Sequence, residues 1–122
     1  SELSGMQGTI LWENPSPNSA ISSALQIDLS SANCEYLEIE YKAFTTSTSI
    51  LFAKARNTAN IPLMVATYPS AGLTVGYRNL TTSGDGIYRV DATFTGFRTS
   101  DSGVSEITDS SMCIPIRIRG YT

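Results

Sequence analysis

The sequence predicts an all-β domain: an antiparallel β-sandwich, jelly-roll-like, with about eight strands. Three observations carry that reading. Residues 36–44 (YLEIEYKAF) alternate strictly, with Leu37, Ile39, Tyr41 and Ala43 on one face and Glu38, Glu40 and Lys42 on the other. That period of two belongs to a pleated strand, whose successive side chains leave opposite faces. The last stretch alternates as well, Ile114, Ile116 and Ile118 against Pro115, Arg117, Arg119 and Tyr121. Between these, turn-forming Gly, Pro, Ser and Asn recur roughly every ten to fifteen residues and no segment carries a convincing helical period, the spacing of a sandwich or small barrel.

In chain order, residues 1–6 read as a lead-in or linker remnant and residues 7–122 as a single domain. Residues 7–13 (QGTILWE) form a first strand, with Ile10 and Trp12 on one side and Thr9 and Leu11 on the other. Pro15 and Pro17 then force a loop, because proline cannot donate to a ladder. Leu25, Ile27 and Leu29 mark a second strand, and residues 30–33 a turn. After the 36–44 strand and a hydroxyl-rich turn come strands over residues 50–56 and 61–68. Pro62 stands near the start of the latter, where a missing N–H does least harm. Residues 69–72 read as a turn, and in the next strand Leu73, Val75 and Tyr77 alternate with Thr74, Gly76 and Arg78. Residues 81–86 carry the Asp-Gly of a hairpin. A long strand over residues 87–97 follows, with Tyr88, Val90, Ala92 and Phe94 on one face. Residues 98–112 read as the longest loop, before the closing strand.

The chain has 122 residues, with 41% apolar and only 16% charged. Ser and Thr number 17 and 14, about a quarter of the whole, so the surface is kept soluble by hydroxyls more than by charge. A net charge of −3 argues against a nucleic-acid partner, since a phosphate backbone calls for a clustered basic face and the close pair Arg117 and Arg119 does not make one. No apolar run approaches the roughly 18–20 residues of a membrane-spanning helix, so neither nucleic acid nor membrane insertion is expected. The chain begins at Ser1 without a signal peptide, as a piece of a longer polypeptide would. Cys34 and Cys113 stand far apart in no metal-binding spacing, and read either as free thiols or as a disulfide closing a long loop.

Histidine is absent. This removes the Ser-His-Asp and Cys-His arrangements together with the commonest metal ligand. Glu38 and Glu40 share a strand face about 7 Å apart, within the range of a glycosidase pair, but nothing marks a cleft and they read as an exposed, lysine-balanced strand face. Asp101, Glu106 and Asp109 lack the regular spacing of a calcium loop. The reading is a non-enzyme with no metal and no cofactor. Trp12 is assigned to the core at the edge of the sandwich, with sugar stacking as its rival role, and Tyr68 is the better candidate for an exposed aromatic.

Leu11-Trp12-Glu13-Asn14 followed by a Pro/Ser loop, residues 25–29, residues 36–41, and the closing Cys113-Ile114-Pro115-Ile116-Arg117-Ile118-Arg119-Gly120 together resemble a known group. They are similar to C-terminal domains of tail-fibre and baseplate receptor-binding proteins of phages and prophages infecting Gram-positive bacteria. The resemblance covers most of the chain from Thr9 onward, loosely in the middle, and its motifs specify strand packing. It implies a β-sandwich head domain at the virion's tail tip, assembled in the host cytoplasm. It also implies a homotrimer that binds a bacterial cell-surface saccharide or another surface receptor. Two alternatives stand beside it: a structural trimerisation module of a fibre, and a carbohydrate-binding module of a secreted enzyme. For a ligand site, Tyr68, Arg78, Arg89 and Asp91 are the candidates, an aromatic with polar groups converging near one end of the sandwich. Their plainer reading is a surface ion-pair cluster.

Overall fold

The computed structural model describes residues 7–68, 72–100 and 103–122. The lead-in at residues 1–6, most of the 69–72 turn, and Asp101 fall outside them. Ten strands form two antiparallel sheets with no helix among the described residues, the all-β sandwich that the alternation requires. They are β1 (Gln7–Glu13), β2 (Leu25–Asp28), β3 (Tyr36–Phe44), β4 (Leu51–Arg56), β5 (Ile61–Thr67), β6 (Thr74–Thr82), β7 (Ile87–Val90), β8 (Phe94–Ser100), β9 (Gly103–Asp109) and β10 (Met112–Tyr121).

One sheet runs β1-β10-β3-β4; the other runs β2-β7-β6-β8-β9, with β5 on the far side of β6. β6 is the spine of the second sheet. Its residues 74–80 pair with β5, while residues 80–82 pair with β7 and residues 74–77 with β8. β7 and β8 therefore lie end to end along one edge of β6. The long strand expected over residues 87–97 is broken at residues 91–93, where the Asp91 N–H still reaches the Asn79 carbonyl at 2.9 Å.

The core lies between the sheets. Leu37, Ile39, Tyr41 and Ile118 come from one, and Ile27, Ile61, Leu63, Val65, Leu80, Tyr88, Val90 and Phe94 from the other. Two tyrosine hydroxyls hold it together: Tyr41 donates to the Met64 carbonyl at 2.5 Å and Tyr88 to Asn57 Oδ1 at 3.0 Å. Each buried hydroxyl thus finds a partner, as burial demands.

Several sequence expectations are corrected by register. In β10 the pairing slips between Pro115 and Arg117, so Ile116 is an extra residue and the alternation changes phase. Ile118 then pairs with Ile39 in the core, whereas Ile114 pairs with Lys42 on the other face. Both are nonetheless buried, because the 14–24 loop folds over this end: Lys42 Nζ donates to Asn18 Oδ1 at 2.5 Å and the Asn14 amide to the Pro115 carbonyl at 2.8 Å. A similar slip at Leu11 lets Leu11 and Trp12 both pack against the core while Ile10 remains 49% exposed.

The described residues of 98–112 are largely strand, not loop: the end of β8, the whole of β9, and the tight turn into β10. β9 is an edge strand with most of its residues exposed and Ile107 packed partly against the core, so it imprints little hydrophobic alternation on its sequence.

The cysteines cannot pair. β3 and β10 run antiparallel from Tyr36 opposite Tyr121 to Phe44 opposite Met112, which sets Cys34 and Cys113 at opposite ends of the ladder. At strand rise that is roughly 25 Å, against the 7 Å limit for a disulfide; both are free thiols.

Candidate functional site: an apolar platform on the outer face of the second sheet

The phase of β6 decides the site. Residues 73–77 read in isolation put Leu73, Val75 and Tyr77 inside. In the structure Leu80 is fully buried between Ile61 and Val90, and the period of two then carries Arg78 and Thr74 inward. Val75 and Tyr77 are turned out, each 43% exposed. The neighbouring strands follow. Ile61, Leu63 and Val65 of β5 face the core, so Pro62, Met64 and Ala66 face solvent, and on β8 Phe94 is buried while Phe97 is 53% exposed.

The ladder sets these outward residues in rows. Met64, Tyr77, Thr95 and Thr108 are successive cross-strand partners over β5, β6, β8 and β9; Ala66, Val75, Phe97 and Glu106 form the next row. Tyr68, 78% exposed, continues the outward face just past β5. Side chains on adjacent rows stand within reach of long residues, so Tyr77, Phe97, Val75 and Met64 make one surface. A shallow trough of about 420 Å³ lies among Met64, Val75, Tyr77, Thr95 and Phe97, above the backbone of Gly76 and Gly96. A second hollow of about 260 Å³, bounded by Pro62, Met64, Tyr77 and Asn79, shares two of those walls. Exposed apolar surface of this kind, with aromatic faces and a polar rim, marks a binding surface more often than chance.

Of the four candidates drawn from the sequence, Tyr68 lies on this face beside the trough, and Arg89 lies on it farther out, between the inward Tyr88 and Val90 of β7. Arg78 is corrected: its side chain has no exposed surface. Its Nη2 donates to the Ile21 and Asp109 carbonyls, both at 3.2 Å, while Nε and Nη1 have no protein partner. Burial pushes its pKa down, and the charges of Cys113, Asp109 and Asp91 oppose that shift. Asp91 thus acts on the buried guanidinium, and the expected surface grouping of Arg78 with Arg89 does not form. Arg89 pairs with Thr81 and Gln26 in the ladder, half-buried and away from the trough. Trp12 takes its core role.

The carboxylates on the outer face of the first sheet are tied up in ion pairs. Glu40 binds Arg117 at 2.7 Å and also Arg119, Glu13 meets Arg117 at 3.0 Å, and Glu38 meets Lys54 at 3.6 Å. Glu38 and Glu40 therefore share a face as expected, each with a cation beside it, an arrangement that holds a sheet together and leaves neither in a cleft. Among the described residues no group of three His, Cys, Asp or Glu could hold a metal ion.

Met64, Tyr77 and Phe97 were not singled out by sequence reasoning. The usable signal was Leu80: it lies an odd number of positions from Leu73, Val75 and Tyr77, so a single strand cannot bury all four. Comparison with known protein families, with characterised proteins and with solved structures found no match. The fold and site define an all-β sandwich domain with an exposed aromatic and aliphatic platform on one sheet.

Proposed function

We propose that the domain is a non-enzymatic recognition module, the receptor-binding head at the tip of a phage tail. It recognises a saccharide on the surface of a Gram-positive host, as a homotrimer that leaves the platform open. The tail-tip placement rests on the motif resemblance from Leu11 to Gly120. Saccharide recognition rests on one observation: Tyr68, Tyr77 and Phe97 stand exposed on a single sheet face beside the Asn79 and Thr95 side chains. Aromatic rings offer apolar faces to the C–H faces of sugars, and the amide and hydroxyl groups supply the few polar contacts that fix orientation.

A second reading is favoured by the aliphatic part of the same face, Met64, Val75 and Val104, exposed by 62%, 43% and 68%. Such residues also cover subunit contacts, and the module would then trimerise a fibre without touching receptor. The deciding experiment measures sedimentation mass and cell-wall saccharide binding on the same Phe97→Glu variant. Loss of saccharide binding at unchanged mass supports recognition; a fall in mass supports the structural module.

A further inference from the structure

The charge distribution around the trough specifies what kind of saccharide it takes. Bacterial surfaces carry both neutral glycans and phosphate-linked polyols, and these make opposite demands on a binding face. None of the residues lining the two hollows is charged. Two nearby arginines are directed elsewhere: Arg98 Nε donates to Thr74 Oγ1 at 3.0 Å, Thr74 being wholly buried, and Arg78 is itself buried. Arg89 stands on the same outer face opposite Thr81, one row beyond Asn79 and outside both hollows. The charged residue that does share a row with the platform is Glu106, directly opposite Phe97 on the edge strand. A phosphate brought into the hollows would lose water with no cation among their walls to replace it, and would meet a like charge at the rim. The chain as a whole adds a net charge of −3.

The shape argues for a chain and not a single sugar. The hollows join through Met64 and Tyr77 and cross three rows, from Pro62 and Asn79 to Val75 and Phe97. Rows on one strand face are spaced by two residues along the strand, about 7 Å, so the trough accommodates an oligosaccharide lying along the strands over β5, β6 and β8. Its floor at Gly76 and Gly96 is backbone, which lets such a chain lie close to the sheet between the flanking side chains.

We infer that the platform selects neutral glycan chains, whose pyranose rings present apolar faces, and rejects phosphate-bearing polyols. The inference rests on the saccharide reading of the platform. It is tested by calorimetry on the intact domain with two probes: a panel of neutral hexose and N-acetylhexosamine oligosaccharides, and poly(glycerol phosphate). The expected result is binding from the neutral panel that changes little with salt and weakens on the order of tenfold in Phe97→Ala and in Tyr77→Ala, the size of a lost aromatic contact. Both variants must keep the parent's thermal midpoint, and Tyr68→Ala, the most exposed aromatic, serves as a third. Preferential, salt-sensitive binding of poly(glycerol phosphate) overturns this inference and leaves the saccharide reading standing. Absence of binding to either probe overturns both, and a drop in sedimentation mass for the same variants reassigns the face to contact between copies of this chain.

Discussion

Gly76 and Gly96 face each other across β6 and β8, and neither leaves room for a methyl group. A Cβ at Gly76 would lie 2.4 Å from the Thr95 carbonyl oxygen and 2.5 Å from the Phe94 ring; at Gly96 it would lie 2.2 Å from the Val75 carbonyl oxygen. The Phe94 ring occupies the core side of both positions. The glycines thus bring two strands and an aromatic ring together directly beneath the platform.

Gly76→Ala and Gly96→Ala should each destabilise the domain by about 1–3 kcal/mol, the usual cost of overpacking. Urea denaturation measures it. Because the obstructing atoms are mostly backbone, truncating Phe94 should not rescue either variant; a Phe94→Ala background that restores stability would show the ring to be the sole obstacle.

Arg78 is held by two carbonyls and leaves two nitrogens without a protein partner. Arg78→Met, which keeps much of the volume and removes the unpartnered donors, should stay within about 1 kcal/mol of the parent, as replacements of buried charges often do. Arg78→Ala should cost about 3 kcal/mol through the cavity. Equal losses in the two variants would mean that the Ile21 and Asp109 contacts dominate.

Glu40 lies between Arg117 and Arg119 with its side chain 10% exposed, the arginines being 31% and 27% exposed. Glu40→Gln should cost between about 1 and 3 kcal/mol, above an exposed pair and below a wholly buried one. It should leave glycan binding unchanged, since the ladder lies on the opposite sheet. A loss of binding at unchanged stability would relocate the site.

The Cys113 thiol is fully buried and its pKa is pushed up to about 12 by burial, against a weaker opposing pull from Arg78. Burial also raises Cys34, Tyr41 and Tyr88. A raised folded value means that the native state holds its proton after the unfolded chain has lost it. Stability is therefore full below the unfolded thiol value of 9.0 and falls as pH climbs toward about 12. The alkaline loss should be shallower in Cys113→Ala, followed by thermal midpoints across that window. Native Cys113 should also resist thiol reagents until the domain unfolds.

The sequence by itself determined the class of fold and most of its parts. Strict alternation in residues 36–44 and the Gly, Pro and Asn turns follow from local geometry, and β3 carries the buried Leu37, Ile39 and Tyr41 that its period announces. Tyr68 was legible as an exposed aromatic because a Pro-Ser pair, a turn signal, follows it in the sequence. Tertiary structure decided what depends on register. The extra residues at Leu11 and Ile116 shift the phase of β1 and β10, and no local pattern marks where a ladder will slip. Nor could residues 73–77 show which face of β6 is inner, because that is fixed by Leu80 packing between Ile61 and Val90, contributed by two other strands. One position of phase buries Arg78 and exposes Tyr77, and the platform exists because a period of two turns every side chain over when a single contact elsewhere sets the face.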